Sequence, residues 1–486
     1  MPPEKDLKAS DHHQPSQFGA LTGLFFTMNL IIGAGILGLP YSFKVGGWLV
    51  CGLYTVICCS LGYIWSSQLV ELTSRCCYYL QLKEKGISLK KPTLKQILFG
   101  KNKNKTDLET NLISNEDSSS FEITKRIDIS EMVEITLGKK WKAVYFYSFV
   151  LTFLLTLSSY AVIFSSSLAS NLEIGFLDSC DIYKCSEFSC ECWKTYWFFL
   201  AIFSVIVVYL TLVEMNEQKV IQNIITGSSV LNIIIVITLS VISIIEDTEI
   251  DSDRPLNRSD YDIANISNIG ISLPIILFAS MIQLSLPSII ENLDDKRTNV
   301  KPILRNALIA SLLIYLPMGF IVPMAVSKVY GQYNISFRNY SAGYSQAERP
   351  WWTYIFSYFI VLSPAIGILS AFALIAIPLA HNTESYFYGI GNKNISKRED
   401  YLVKLLVVVV PLALSTFVYN LGSIMSVAGA ISILMVPVGI PLMHIAGREL
   451  IEKESVYDCK YSPRIASLII AALHCGILIL KIYFLF

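Results

Sequence analysis

The sequence predicts an all-α membrane protein with eleven transmembrane helices, arranged as a five-plus-five inverted repeat plus one extra helix. Of its 486 residues, 53% are hydrophobic and 16% are charged, whereas about 25% are charged in a typical soluble domain. Eleven apolar runs are long enough to cross about 30 Å of hydrocarbon. They lie at about 18–42, 47–71, 142–170, 195–213, 221–245, 269–290, 306–327, 352–380, 401–418, 422–446 and 465–485. The first and sixth runs carry helix-breaking residues, which is typical of secondary transporters built from inverted repeats.

The first span contains an interruption. Gly33, Gly35 and Gly38 follow one another closely, and each glycine weakens a helix by about 1 kcal/mol relative to alanine. A spanning helix opens its backbone only where protein or a water-filled cavity takes up the freed polar groups. We therefore predict that one half of this helix ends near Ile32 and the second half begins near Ile36.

The opened backbone predicts a binding site. Free N–H groups at the start of the second half, from Ala34 onward, suit a carboxylate, and free carbonyls at the end of the first half suit a small cation. The alternative interpretation is helix packing, because small residues also let membrane helices approach closely. The polar Asn29 and the Pro-Tyr-Ser-Phe run that follows the glycines favour the binding site.

The same span matches a family motif. The matching residues, in order, are Asn29, Gly33, Gly35, Ile36, Leu37, Leu39, Pro40, Phe43 and Gly46. This arrangement resembles the amino acid/auxin permease family of the amino acid–polyamine–organocation superfamily. Residues 129–140 resemble that family's short amphipathic segment before the third helix, and residues 419–441 resemble its Asn-x-Gly, Gly-Ala and Pro pattern. The resemblance covers nearly all of the chain, and it implies amino acid transport.

Basic loops predict the orientation. Lysines and arginines concentrate at residues 75–140, 296–305, 393–398 and 448–464, in the loops after the second, sixth, eighth and tenth spans. Loops with such an excess face the cytosol. We therefore expect a cytosolic N-terminus and an extracellular or lumenal C-terminus. The membrane is either the plasma membrane or an endolysosomal or vacuolar membrane.

The loops on the opposite side carry signals of an oxidising, glycosylating compartment. Four cysteines after the third span predict one or two disulfides, with a zinc site as the competing interpretation. These cysteines are Cys180, Cys185, Cys190 and Cys192. Sequons in two later loops on this side make Asn257, Asn265, Asn334 and Asn339 the candidate glycosylation sites.

Two polar segments flank the first two spans. Residues 1–17 are predicted to form a disordered cytosolic tail. Residues 81–128, rich in Lys, Asn, Ser and Thr, are predicted to form a disordered cytosolic insert. Residues 18–80 then hold the first two helices and residues 129–486 the other nine. The insert is either a plain flexible loop or a regulatory segment whose lysines contact anionic lipid.

The third and sixth spans supply further candidate residues. In the sixth span, two prolines bracket a small-residue section around Ser280, which predicts the second interruption. Tyr160 resembles the family's Ser-Tyr element in the third span. Its hydroxyl either donates to a substrate carboxylate or bonds to a neighbouring backbone group. Phe278 and Gln283 resemble a motif of the vesicular inhibitory amino acid branch, whereas neutral amino acid branches often place a histidine near Gln283.

The expected substrate site combines both interruptions. Its residues are Ile32, Gly33, Ala34, Gly35, Ile36, Tyr160, Phe278, Ser280 and Gln283. In sodium-coupled relatives, hydroxyls of the eighth span complete a cation site with first-span groups, which implies an ion site here at Asn29 and Ser370. No Asp or Glu lies near the middle of a span, although neutral oxygens also bind cations. The coupling ion is therefore H⁺ or Na⁺, and no other cofactor is expected.

These observations predict a secondary active transporter that moves amino acids by alternating access. The alternative is a sensor that binds an amino acid without significant flux and signals through the insert. An enzyme has no support, because neither a nucleophile–base pair nor a metal-ligand cluster emerges. The net charge of zero does not suggest a nucleic-acid partner. The expected partners are a small-molecule amino acid and the lipid bilayer.

Overall fold

The computed structural model of the chain is built from helices. It describes residues 18–87, 89–100, 121–172, 179–180, 182, 191–212, 219–250, 256, 261–326, 328–388, 396–460 and 463–483. The helices within these residues are α1 (Ala20–Ile32), α2 (Ala34–Leu37), α3 (Leu39–Gly46), α4 (Trp48–Glu84), α5 (Leu94–Phe99), α6 (Ile129–Thr136), α7 (Lys139–Asn171), α8 (Cys192–Leu212), α9 (Lys219–Glu246), α10 (Ile269–Ala279), α11 (Leu286–Glu291), α12 (Lys296–Ala325), α13 (Trp351–Tyr388), α14 (Lys397–Ser415), α15 (Leu421–Ile433), α16 (Ile440–Leu450) and α17 (Arg464–Tyr483). The predicted tail, residues 1–17, lies outside the described residues.

Ten segments of the described chain are long and apolar enough to cross a membrane, and they coincide with ten of the eleven expected spans. The remaining expected span, 401–418, corresponds to α14. Five of the first eight residues of α14 are charged, at positions 397–400 and 404. The apolar remainder, 405–415, is only about 16 Å long at the rise of an α-helix. By length and composition alone, the described residues contain ten spans, and the predicted span at 401–418 falls outside that count.

The first span is interrupted at the predicted glycine. Helix α1 ends at Ile32, as expected, and Gly33 leaves the helical conformation with φ −35° and ψ −146°. Helix α2 begins at Ala34, two residues before the predicted start of the second half. It is a single turn, which leads through Gly38 into α3. The break is therefore confined to one residue and leaves the rest of the segment helical.

The sixth span is interrupted as well. Helix α10 ends at Ala279, and Ser280 leaves the helical conformation. A 3₁₀ turn at Gln283–Ser285 then leads into α11, with a proline in its first turn. Proline favours such a helix start, because its missing N–H would be unpaired there in any case. The predicted pair of interruptions is therefore present in the structure.

The two interruptions touch each other. A Cβ atom on Gly35 would lie 2.4 Å from Cα of Ala279, so the backbones of α2 and α10 approach as closely as glycine allows. A similar contact joins α10 to α15, where a Cβ on Gly429 would lie 1.9 Å from the Pro274 carbonyl oxygen. Glycine therefore serves packing at Gly35, in addition to its predicted role in the binding site.

Both ends of the insert are folded against the helices, so the prediction of disorder across residues 81–128 is wrong for these parts. Helix α5 buries Ile97 against Ile445 and Ala446. At the other end, Phe121 is fully buried, and its ring centroid lies 4.4 Å from that of Tyr78. The insert is polar on average, whereas the apolar residues that dock onto the helices lie only at its two ends. The central part, 101–120, lies outside the described residues.

A buried charge network joins the bundle at the same end as the insert. The fully buried Glu71 carboxylate accepts hydrogen bonds from Arg75 Nε at 2.9 Å and from Arg448 Nε at 2.7 Å, and it lies 2.9 Å from His444 Nε2. The backbone amide of Cys459 donates to the same carboxylate at 2.7 Å. Because a buried carboxylate is tolerated only when it is paired, this network fixes α4, α16 and the following loop together.

Candidate functional site

A small cavity lies between the two interrupted helices, and we call it the Tyr160 cavity. Its volume is about 40 Å³. It is lined by Leu30, Ile31, Gly35, Thr152, Phe153, Thr156, Tyr160, Phe278, Ala279, Met281, Leu284, Ser285 and Ile375. Three of the predicted substrate residues, Gly35, Tyr160 and Phe278, therefore lie around one space. The first, third, sixth and eighth spans all contribute to it.

The Tyr160 hydroxyl lies directly at the break in the first span. A Cβ atom on Gly33 would lie only 2.7 Å from this hydroxyl oxygen, so glycine is needed for the hydroxyl to approach the backbone. The backbone amide of Ala34 lies near the same hydroxyl. An amide N–H can only donate, so the phenolic proton of Tyr160 stays available to another acceptor. Both interpretations made from the sequence are therefore compatible with one geometry.

A second tyrosine, which sequence reasoning missed, lies behind the same cavity. The hydroxyl of the fully buried Tyr315, on α12, lies 2.7 Å from the Ile31 carbonyl oxygen and 2.6 Å from the Ala279 carbonyl oxygen. Ile31 is at the end of the first half of the first span, and Ala279 is at the corresponding point of the sixth. Tyr315 thus connects the carbonyl sides of both interruptions, and nothing in the local sequence of the seventh span indicates it.

Two threonines, Thr152 and Thr156, were also missed. They line the Tyr160 cavity from α7, eight and four residues before Tyr160. Residues four apart lie on one helix face, so this spacing is a signal that could have identified them. The Thr156 hydroxyl donates to the Thr152 carbonyl at 2.8 Å, which satisfies its proton within the helix.

Two predicted substrate residues, Ser280 and Gln283, do not line the Tyr160 cavity. The Ser280 hydroxyl donates to the Leu277 carbonyl at 2.9 Å, across the end of α10. Gln283 Nε2 donates to the Gly62 carbonyl at 3.1 Å, and its Oε1 accepts from the Ile282 amide at 3.1 Å. Both side chains therefore support the interrupted backbone.

A second cavity lies on another side of the first-span break, and we call it the Asn29 cavity. Its volume is about 30 Å³. Its lining residues are Asn29, Ile32, Gly33, Ile36, Leu37, Ser229, Asn232, Ile233, Tyr333, Pro364, Gly367 and Ile368. The predicted substrate residues Ile32, Gly33 and Ile36 thus face this cavity, whereas Gly35 faces the Tyr160 cavity. The predicted site is divided by the helix backbone into two spaces.

The predicted ion-site residues are in contact beside the Asn29 cavity. Asn29 Nδ2 donates to Ser370 Oγ at 3.2 Å and to Gln222 Oε1 at 2.5 Å. All three side chains are buried. Sequence reasoning missed Gln222. Asn232 also lines the cavity, and its buried Oδ1 has no hydrogen-bond partner among the described residues.

Both cavities are small. A cavity needs about 10–15 Å³ to hold one water molecule, so volumes of about 40 Å³ and about 30 Å³ correspond to a few waters each. An amino acid is larger than that, so binding one requires the surrounding helices to move apart.

The predicted modification sites are placed unevenly. The structure pairs Cys180 with Cys192 in a disulfide, while Cys185 and Cys190 lie outside the described residues. The Asn334 side chain is fully buried and donates to Ser167 Oγ at 3.0 Å, so the prediction that it carries a glycan is wrong for this fold.

The other three sequons remain candidates. Asn339 is exposed and Asn265 is half-buried, whereas Asn257 lies outside the described residues. Asparagines that share the sequon pattern therefore differ widely in solvent exposure, because a sequon carries no information on burial.

The fold and the site define a class of protein. Membrane-length helices, two of them interrupted and touching at a partly polar cavity, form the architecture of carrier-type membrane proteins. The chain belongs to the family described as transmembrane amino acid transporter protein, which matches residues 16–90 and 116–486.

Individual relatives are more distant. The chain is 21% identical over 432 residues to transmembrane protein 104 of Mus musculus, covering 85% of this chain and 84% of the relative. It is 23% identical over 437 residues to transmembrane protein 104 of Gallus gallus, with coverage of 85% and 84%. A transmembrane protein 104 homolog of Caenorhabditis elegans is 23% identical over 386 residues, 77% of this chain and 70% of the relative.

Proposed function

We propose that the protein is a secondary active transporter that moves amino acids across a membrane by alternating access. The observation that supports this most strongly is the arrangement of donors and acceptors around the Tyr160 cavity. The Tyr160 hydroxyl and the nearby Ala34 amide are donors, and the Ile31 and Ala279 carbonyls are acceptors. An amino acid carries a carboxylate, which needs donors, and an ammonium group, which needs acceptors. The cavity offers both.

In this proposal the substrate carboxylate binds at the break of the first span. Tyr160 donates its proton to the carboxylate, and the amides that begin with Ala34 complete the contact. Charge-assisted hydrogen bonds of this kind contribute about 1.5–3 kcal/mol each. Phe278 and Ile375 line the same cavity and contact the substrate side chain. Gly35 keeps the two interruptions together.

Coupling to an ion is assigned to the Asn29 cavity. Asn29, Gln222 and Ser370 place neutral oxygen and nitrogen groups from three spans at one point beside the break. Binding of a cation there would change the contacts of the first span, which also lines the Tyr160 cavity. We propose H⁺ or Na⁺ as the coupling ion. Alternating access would then arise from rocking of the two inverted repeats around this region.

The topology and location are also proposals. We infer a cytosolic N-terminus from the basic loops, with the Cys180–Cys192 disulfide and the glycans on the opposite side. Such a protein would act at the plasma membrane or at an endolysosomal or vacuolar membrane.

A sensor is the second candidate, and one observation favours it. The distal end of the insert docks onto the helix bundle: Phe121 packs on Tyr78, and Lys296 Nζ donates to the Ile123 carbonyl at 3.2 Å. Arg126 of the insert also pairs with Glu291 on α11 at 3.4 Å, so movement of the interrupted sixth span would be transmitted to a segment outside the spans. A sensor would bind the amino acid with this coupling and without significant flux.

Counterflow in liposomes separates these functions. Purified protein is reconstituted with internal unlabelled amino acid, and entry of the same labelled amino acid is followed for a panel of amino acids at varied pH and sodium. A transporter accumulates label for at least one amino acid, with a dependence on pH or sodium. Saturable binding in detergent without accumulation favours the sensor. The absence of both binding and accumulation would contradict both functions.

A further inference from the structure

The two carbonyls behind the Tyr160 cavity share a single donor. Tyr315 lies within 2.7 Å of the Ile31 carbonyl oxygen and 2.6 Å of the Ala279 carbonyl oxygen. A phenol carries one proton, so it donates to only one of these oxygens at a time. The other carbonyl oxygen then receives no hydrogen bond from Tyr315. The Tyr315 side chain is fully buried at this position.

These three oxygens come from three different helices. Ile31 belongs to α1, Ala279 to α10 and Tyr315 to α12. Ile31 and Ala279 also line the Tyr160 cavity, and Tyr315 contacts their carbonyl oxygens from α12. Three oxygens with one shared proton are short of donors. A primary ammonium group supplies three N–H donors and matches this deficit.

We infer that Tyr315 is a specificity-determining residue, which holds the α-ammonium group of the substrate together with the Ile31 and Ala279 carbonyls. This inference rests on the proposed function, which assigns an amino acid to the cavity. When the substrate is absent, the tyrosine hydroxyl bridges the two carbonyls. When the substrate is present, its ammonium group donates to the two carbonyls and to the hydroxyl oxygen of Tyr315. The phenol keeps its own proton, which stays hydrogen-bonded to one of the carbonyl oxygens. No proton transfer is required.

If Tyr315 recognises the ammonium group, its substitution has an effect that the loss of a purely structural tyrosine would not have. Tyr315→Phe removes one acceptor of the ammonium group and leaves the carboxylate contacts near Tyr160 in place. The affinity for the amino acid should fall by about 10–100-fold, as expected for loss of a charge-assisted hydrogen bond. The affinity for the carboxylic acid that has the same side chain and no amino group should change by less than about threefold.

The experiment measures inhibition of labelled amino acid exchange in liposomes. The competitors are the amino acid that wild type exchanges best and its counterpart without the amino group, which for alanine is propionate. Tyr145→Phe is the matched control. It also removes a buried tyrosine hydroxyl that donates to one carbonyl, that of Met435 at 3.3 Å, away from both interruptions. We expect the control to leave both affinities unchanged.

Each outcome decides the inference. Equal weakening of both competitors by Tyr315→Phe would show a structural role, and no weakening would exclude any role in recognition; either result overturns the inference while the proposed function stands. If Tyr315→Phe does not fold, Tyr315→His, which withdraws the hydroxyl from the two carbonyls, takes its place: selective weakening of the amino acid supports the inference, and equal or no weakening overturns it. Failure of wild type to exchange any amino acid would overturn the proposed function and this inference together.

Discussion

Two glycines at the first-span break allow close contacts that a Cβ atom would block. At Gly33, the missing side chain lets the Tyr160 hydroxyl lie against the break, where a Cβ would be only 2.7 Å away. At Gly35, the missing side chain lets two helices touch. The two glycines thus have different functions, although they are separated by one residue.

We predict that Gly35→Val abolishes amino acid binding while the protein still inserts into membranes. A Cβ at this position would lie 2.4 Å from Ala279 Cα, and backbone atoms cannot move aside as a flexible side chain can. The two interruptions would then separate and the Tyr160 cavity would lose its shape. Binding is measured with labelled amino acid on purified protein, and insertion is measured by size-exclusion chromatography of solubilised membranes.

The control for this variant is Gly38→Ala. A Cβ there would lie 2.9 Å from the terminal Cε of Met425, which is the far end of a flexible side chain. We expect binding within about threefold of wild type. If the two variants weaken binding equally, the glycines are only a packing seam. If Gly35→Val binds normally, the site is elsewhere.

A second residue-scale prediction concerns the ion. Ser370→Ala removes the hydroxyl that accepts from Asn29, so the ion concentration needed for half-maximal exchange should rise about tenfold, as expected for loss of one hydrogen bond or oxygen ligand. Ser432→Ala is the control, because that buried hydroxyl donates within α15 and is remote from Asn29. Exchange assays with varied sodium and pH make the comparison. An unchanged ion dependence in Ser370→Ala would remove this residue from the ion site.

At the scale of elements, both ends of the insert are docked onto the helix bundle. Residues 94–99 and 121–128 are packed against the bundle, and Arg126 also forms ion pairs with Asp128 at 2.9 Å and with Glu291 at 3.4 Å. Arg126 thus attaches the insert to α11, the second half of the interrupted sixth span. The contacts give the insert a direct mechanical connection to a helix that the proposed transport cycle moves.

We predict that Phe121→Ala destabilises the protein by about 3–5 kcal/mol, because it removes a fully buried aromatic side chain and leaves a cavity. Thermal unfolding of detergent-solubilised protein, followed by fluorescence, measures the effect as a lower melting temperature. Phe99→Ala is a matched control on the other end of the insert, where the side chain is 81% exposed. A melting temperature unaffected by Phe121→Ala would mean that the distal end is not docked in solution.

At the scale of the whole molecule, the membrane-spanning plan and both interruptions could be predicted from the sequence, because hydropathy and helix-breaking residues are local signals. The span at 401–418 was predicted like the others, but charges occupy the first turns of α14, and the segment falls outside the ten that length and composition identify. The partners of Asn29 and the bridging role of Tyr315 could not be predicted. They depend on which helices meet in space, and a lone glutamine or tyrosine in an apolar run carries no such information.

The orientation of the whole molecule leads to one further prediction. If the protein is glycosylated, the glycans should map to Asn339 or Asn265 among the described sequons, with none on Asn334, because the Asn334 amide is buried and hydrogen-bonded. Mass spectrometry of glycopeptides from the expressed protein tests this. A glycan on Asn394 would place the opposite side of the bundle outside the cytosol and reverse the proposed topology.

The most direct test of the central claim is a structure determined by electron cryomicroscopy with a saturating concentration of the amino acid that exchanges best. The account predicts ligand density between α2 and α10, with its carboxylate at the Ala34 amide and Tyr160 hydroxyl and its amino group at the Ile31 and Ala279 carbonyls. Density for the amino acid at any other position, with the Tyr160 cavity still closed, would contradict the account.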